Sequence, residues 1–157
     1  MKNLLEKWKA QRNLTLFGKV HVIKCLAMSG LIYTATNCAI PSEQIIKDIN
    51  KILYEYLWGK TELIRRSTLV NDKLNGGIGM IDVQAHFNAL KAAWIPKIMC
   101  KTEIEHWKEK PLKHINKLGP NLYVLNFSTS KTQCPTINCL PVFYKQVVNF
   151  FFFKIFY

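Results

Sequence analysis

Basic and aromatic residues interleave near the start of the chain: Lys7, Trp8 and Lys9, then Arg12, Phe17 and Lys19. Cations at such spacing can neutralise the phosphates of a nucleic-acid backbone while the rings pack inward. The rival reading is a solvated helix face over a core aromatic, and spacing alone does not separate the two. Arg65 and Arg66 form a second, weaker pair of the same kind. Gly76-Gly77-Ile78-Gly79 invites comparison with a phosphate-binding loop, whose glycines let backbone amides approach an anion. It lacks both the Lys-Ser/Thr of a Walker loop and the glycine spacing of a dinucleotide fingerprint. A tight turn needing positive φ is the expected role.

Nucleophilic and metal-assisted chemistry find little support. His21, His86, His106 and His114 are scattered, with no Cys, Asp or Glu placed beside them in a hydrolase or metal pattern, so surface or half-buried positions are expected. The 5 cysteines are odd in number and lack a secretory context, which argues for reduced thiols. Cys134 and Cys139 have a spacing seen in some metal sites, but no second ligand pair lies nearby. Asp48, Asp72 and Asp82 are the only aspartates, and nothing in their spacing pairs two carboxylates for two-metal catalysis. Neither metal nor cofactor is expected.

The elements that must position these residues follow from hydrophobic spacing. The chain has 157 residues, 49% of them hydrophobic and 20% charged, which excludes the composition of a disordered chain and suits one domain. Its formal charge of +12 favours polyanionic partners, nucleic acid or an anionic membrane surface. Residues 1–24 hold Lys2, Lys7, Lys9, Arg12, Lys19 and Lys24 against Glu6 alone. The N-terminus breaks its apolar residues with charges, unlike a signal peptide, and the weakly polar stretch from Cys25 to Ile40 is too short to span a bilayer. An intracellular chain without a membrane span is expected.

Spacing predicts a short amphipathic helix over 2–11, then a longer one capped by Asn13 or Thr15. The stripe of that second helix is Leu16, Val20, Ile23, Ala27, Leu31 and Ile32, and it ends before Pro41. A third helix over 43–58 starts at a Ser42 cap, ends at Gly59, and carries Ile45, Ile46, Ile49, Ile52, Leu53, Tyr56 and Leu57 on one apolar face. Residues 60–81 read as mostly loop. Asp82 caps a fourth helix to about Cys100, with Pro96 threatening a kink. A short helix over 111–118 precedes an extended linker and an apolar tail that includes Phe150 to Phe153. No internal repeat is found. The expected fold is mainly α, a thumb-like helical bundle with a loop-rich, partly disordered C-terminal region. Its expected divisions are 1–59, a glycine-rich connecting loop 60–82, a helical connecting segment 83–118, and a linker with tail 119–157.

The order of motifs carries a resemblance. Trp8, Arg12-Asn-Leu-Thr-Leu-Phe-Gly-Lys-Val, Val22-Ile23-Lys24, Leu31-Ile32-Tyr33, Ile40-Pro41, Tyr56-Leu57-Trp58-Gly59, Gly76-Gly77-Ile78-Gly79-Met80-Ile81-Asp82 and Ala89-Leu90-Lys91-Ala-Ala-Trp94-Ile95 occur in series. This series resembles the region just after the polymerase palm of LINE-type (non-LTR) retrotransposon reverse transcriptases, over residues 4 to 100; Leu140-Pro141-Val-Phe143-Tyr144-Lys145 looks like a further block. The resemblance implies a thumb and a connecting segment that hold a duplex or an RNA–DNA hybrid, with Arg12, Lys19 and Lys24 facing the backbone. Lys9 joins them from the basic-aromatic pattern. No small-molecule substrate is implied. The family's palm supplies an Asp-Asp pair as metal ligands, and no such pair occurs here, so a non-catalytic fragment, its reading frame truncated at both ends, is expected. A repurposed helical interaction module, or no function, stays open as the alternative.

Overall fold

A computed structural model describes residues 1–11, 13–59, 61–100, 106–116 and 139–155, and these are mainly helical, as the periodicity predicts. The expected linker over 119–138 lies outside the described residues, as do Arg12 and Cys134. The described residues form two compact units: Met1–Asn37 with Pro41–Phe87, and Cys38–Ile40 with the residues from Asn88 onward.

In the first unit, α1 (Lys2–Gln11) and α2 (Leu16–Val22) both pack on α4 (Glu43–Trp58). Thr15 caps α2, its hydroxyl accepting from the Gly18 amide at 3.3 Å and satisfying one of the orphan donors of the first turn. The long second helix expected over 15–40 is not continuous. Ile23–Ala27 widens into a π-turn, closed by the Met28 amide donating to the Ile23 carbonyl at 2.9 Å. The chain then continues as α3 (Ser29–Asn37) with a bend of 44°. A π-bulge next to a Ser-Gly pair is a recognised cause of such bends, and the Ser29 hydroxyl donates to the Leu26 carbonyl at 3.0 Å, inside the break. The bend moves Ile32 off the expected stripe, leaving it 37% exposed.

Helix α4 is the central strut. Ile46, Leu53, Tyr54, Tyr56 and Leu57 are buried along it. Ile49 and Ile52 are half-buried, while Ile45, expected on the same face, points outward. Ser42 precedes the helix without the side-chain cap expected of it; its carbonyl accepts from the Ile46 amide instead. Gly59 ends the helix as predicted, at a φ of 82° that side chains disfavour, with its amide donating to the Glu55 carbonyl. Beyond it, residues 61–81 are mostly loop, holding the short α5 (Arg66–Val70) and a 3₁₀ turn, Lys73–Asn75. Asp82 then caps α6 (Val83–Ala92), accepting from the Ala85 amide at 3.0 Å.

The fourth helix, expected to reach about Cys100 with Pro96 threatening a kink, stops at Ala92, and α7 (Trp94–Met99) follows. The physical cause is Pro96, whose ring would clash with the carbonyl four residues earlier, that of Ala92. Placed in the first turn of a new helix, the proline forfeits no hydrogen bond. In the second unit α7 and α8 (Glu109–Asn116) pack on α9 (Val142–Ile155). Their core holds Ile95, Ile98, Ile115, Leu140, Val147 and Val148, flanked by Trp94 and Phe143 meeting edge-on at 5.6 Å. Among the described residues no single helix is long and apolar enough to cross a membrane; only the bent pair Leu16–Ala27 and Ser29–Asn37 reaches that length and composition.

Candidate nucleic-acid interface

The lysines singled out in the sequence have different fates. Lys19, half-buried on α2, donates from Nζ to the Leu57 carbonyl at 3.0 Å. That carbonyl belongs to the last turn of α4, where acceptors lack helical partners and the helix dipole is negative, so the ammonium serves the packing of α2 on α4. Lys9, in the last turn of α1, is exposed beside a shallow cleft that α1 forms with α4, shared with Lys2, Glu6, Glu55 and Tyr56. Burial pushes the Tyr56 phenol above its ordinary range. Lys24 is exposed in the π-turn, and its ammonium lies over Gly79, where a methyl group would meet it at 3.6 Å.

Around Lys24 the fold assembles a patch that the sequence only partly announces. Phe17, His21 and Lys24 recur at intervals of three and four residues, so they share one helix face. All three are exposed, Phe17 to 52%. From the loop after α5, the Lys73 ammonium sits 5.2 Å from the centre of the Phe17 ring. Two cations and an aromatic ring therefore meet on one surface, and the chain from Lys7 to Ser42 contributes no acidic residue to it. Lys73 escaped the sequence reading because it lies in a loop more than fifty residues away; its only signal was its place beside the glycine turn.

The glycine turn does not bind anions through its amides. Those of Gly76, Gly77, Ile78, Gly79 and Met80 donate to the carbonyls of Lys73, Asp72, Leu69, Asn71 and Leu69 in that order. Each donor that a phosphate would need is already spent. The positive φ expected of the turn is present at Gly76 (74°) and Gly79 (64°). At Gly77 the constraint is contact, since a Cβ there would lie 1.9 Å from the Asn71 carbonyl oxygen.

Other expected candidates are absorbed by local structure. Arg66 pairs with Glu62 and lies over the Tyr54 ring at 4.4 Å; the hydrogen bond to Glu62 holds the guanidinium above its ordinary pKa and the carboxyl below its own. Arg65 is exposed. Asp82 is a helix cap, and Asp48 accepts from the Gln44 amide at 3.3 Å. His86 and His114 are half-buried, whereas His21 and His106 are exposed. Among the described residues no group of three or more His, Cys, Asp or Glu is arranged to hold a metal.

In the second unit, sequence reasoning missed Lys91. It is fully covered, donates to the Cys38 carbonyl and places its ammonium 4.3 Å from the centre of the Phe143 ring. Burial pulls its pKa down to about 8, against the opposing charge interaction with Cys38. The signal was available: Phe87, Lys91 and Ile95 are spaced as one helix face, and a lysine between two core residues is expected to be covered.

Comparison of the chain with protein-family models, curated proteins and solved structures finds no match in any of the three.

Proposed function

We propose that this chain is the thumb-like part of a LINE-type reverse transcriptase, that it catalyses nothing alone, and that it holds duplex nucleic acid by the phosphate backbone. The observation that carries the binding reading is the exposed face of Phe17 and Lys24, in a stretch of chain free of acidic residues, joined by Lys73 over the Phe17 ring. Lys9 adds charge from α1, and Arg12 does so by resemblance. The motif series in the sequence supports the family, and the absence of an Asp-Asp pair supports the lack of catalysis.

Backbone binding releases counterions, so log affinity falls with log salt by about 0.9 for each duplex phosphate neutralised. Replacing Lys9, Arg12, Lys24 and Lys73 together by alanine is expected to weaken binding by a similar factor on unrelated duplexes and to flatten the salt slope. Fluorescence titration at several salt concentrations measures both. If the fourfold variant binds as tightly as the parent with the same slope, this face does not hold nucleic acid, and the interaction-module reading gains. Primer-extension assays with magnesium or manganese are expected to show no product; metal-dependent extension by a clean preparation overturns the catalytic half of the proposal.

A further inference from the structure

The second unit carries an exposed aromatic ring that its core does not explain. Trp94, at the start of α7, is half-buried against the core of Ile95, Ile98 and Ile115 and meets Phe143 edge-on. Trp107, in the 3₁₀ turn His106–Lys108 that leads into α8, stands outside that core and is 42% exposed. Two contacts hold its ring. It meets Trp94 edge-on at 5.9 Å, and the Lys108 ammonium lies 5.6 Å from its centre. Lys108 is itself covered and donates to the Cys100 carbonyl at 3.2 Å. A lone apolar side chain at the surface needs no explanation, but a large ring held in one orientation among cations does.

We propose that Trp107 and Lys97 form a platform for single-stranded nucleic acid, with Trp107 stacking an unpaired base and Lys97 meeting a nearby phosphate. Lys97, exposed on α7, places its ammonium 5.8 Å from the centre of the Trp94 ring. Trp94 thus adjoins both groups. The Trp107 ring and the Lys97 ammonium stand no more than about 12 Å apart, a span that a few nucleotides bridge. An aromatic ring beside cations is the common device of proteins that hold single strands without reading sequence, because every base has a π-face. In a duplex those faces are already stacked on one another.

Charge and surface composition favour this ligand over a membrane. Residues 91–116 hold Lys91, Lys97, Lys101, Lys108, Lys110 and Lys113 against Glu103, Glu105 and Glu109. Lys110 and Lys113 are exposed on α8 and add to the field that draws a polyanion. A helix lying in a membrane interface instead needs a broad apolar face. Among the described residues of the second unit, only Trp107 and Val142 are large apolar side chains left exposed. The site lies wholly in the second unit and does not rest on duplex binding by Lys24 and Lys73 in the first.

The test is fluorescence anisotropy of the full chain with two labelled strands of about a dozen units, an oligothymidylate and an abasic deoxyribose-phosphate strand of equal length and charge. We expect the oligothymidylate to bind about fivefold tighter or more, whereas equal affinities mean that no base is stacked and overturn the proposal. Trp107→Ala should weaken oligothymidylate binding by about 5- to 150-fold and spare the abasic strand, and Trp107→Phe should restore most of the loss. Lys97→Ala should lower the salt slope by about 0.7 on both strands. Lys24→Ala combined with Lys73→Ala should keep the preference for bases even where duplex binding is lost. A preference that vanishes in that double variant belongs to the first unit and overturns the assignment to Trp107. Far-ultraviolet circular dichroism checks folding, and Trp107→Leu, which keeps apolar bulk but has no π-face, stands in if Trp107→Ala does not fold. Unchanged oligothymidylate affinity in the folded Trp107 variant, or Trp107-dependent binding to phosphatidylserine vesicles with no preference for bases, also overturns the proposal.

Discussion

Lysines that a charge count treats as equal do different work. Lys91 is covered and held at a pKa of about 8 by burial, whereas in the unfolded chain it titrates near its ordinary value of 10.5. Below pH 8 it is charged in both states and the desolvation penalty is fully present. Between pH 8 and 10.5 the folded chain releases the proton first, so the unfolded state binds more protons and stability rises with pH. Urea unfolding of the parent should therefore show a midpoint climbing through this window, and Lys91→Met should lack that component of the climb. Equal slopes in the two proteins would remove Lys91 as its source.

Lys19 and Lys24 separate in another way. Loss of the Lys19 hydrogen bond to Leu57, in Lys19→Met, should cost about 1–3 kcal/mol of stability. Lys24→Ala, at an exposed position, should change stability by less than about 0.5 kcal/mol while weakening duplex binding. Denaturation and binding measured on the same two variants check both halves. Sequence spacing brought out the positive charge of both residues. It could not show that one of them faces the carbonyl end of a helix thirty-eight positions away, because that depends on how α2 lies across α4.

At the scale of elements, the legible parts are those whose signals are local. Helices α1 and α4 appear where periodicity places them, Gly59 and Asp82 close and open helices as their chemistry demands, and the glycine turn has its positive φ. What was not legible is non-local or depends on register. The π-turn at Ile23–Ala27 has no side-chain signature, so the stripe drawn through Leu31 and Ile32 continued a straight helix that the backbone abandons. The break after Ala92 was signalled by Pro96, but four residues early, because the clash acts backward along the helix.

The glycines offer a paired test of this element-level reading. Gly77→Ala drives a methyl into the Asn71 carbonyl and should destabilise by on the order of 2 kcal/mol. Gly30→Ala, within α3 and with nothing within 4 Å of the added methyl, should stabilise by about 0.5–1 kcal/mol through helix propensity. Thermal melts showing the same sign for both would refute the assigned conformations.

For the whole molecule, composition pointed to a folded chain and hydrophobic periodicity to a mainly helical one, and the described residues are mainly helical. The division into two compact units left no mark in the sequence. Its boundary between Phe87 and Asn88 falls inside α6, where neither glycine nor proline interrupts the pattern. The second unit also takes three residues, Cys38–Ile40, from the middle of the first unit's sequence. These residues find their partners far along the chain. The Cys38 carbonyl accepts from Lys91, 53 positions later, and the Ile40 amide donates to Gln146 at 2.8 Å, 106 positions later. On a ribosome, where the N-terminal end emerges first, that difference becomes elapsed time. The first unit can close around Leu53 and Phe87 while Cys38–Ile40 still waits with its hydrogen bonds open to water, and the second unit is completed only after Gln146 has left the exit tunnel.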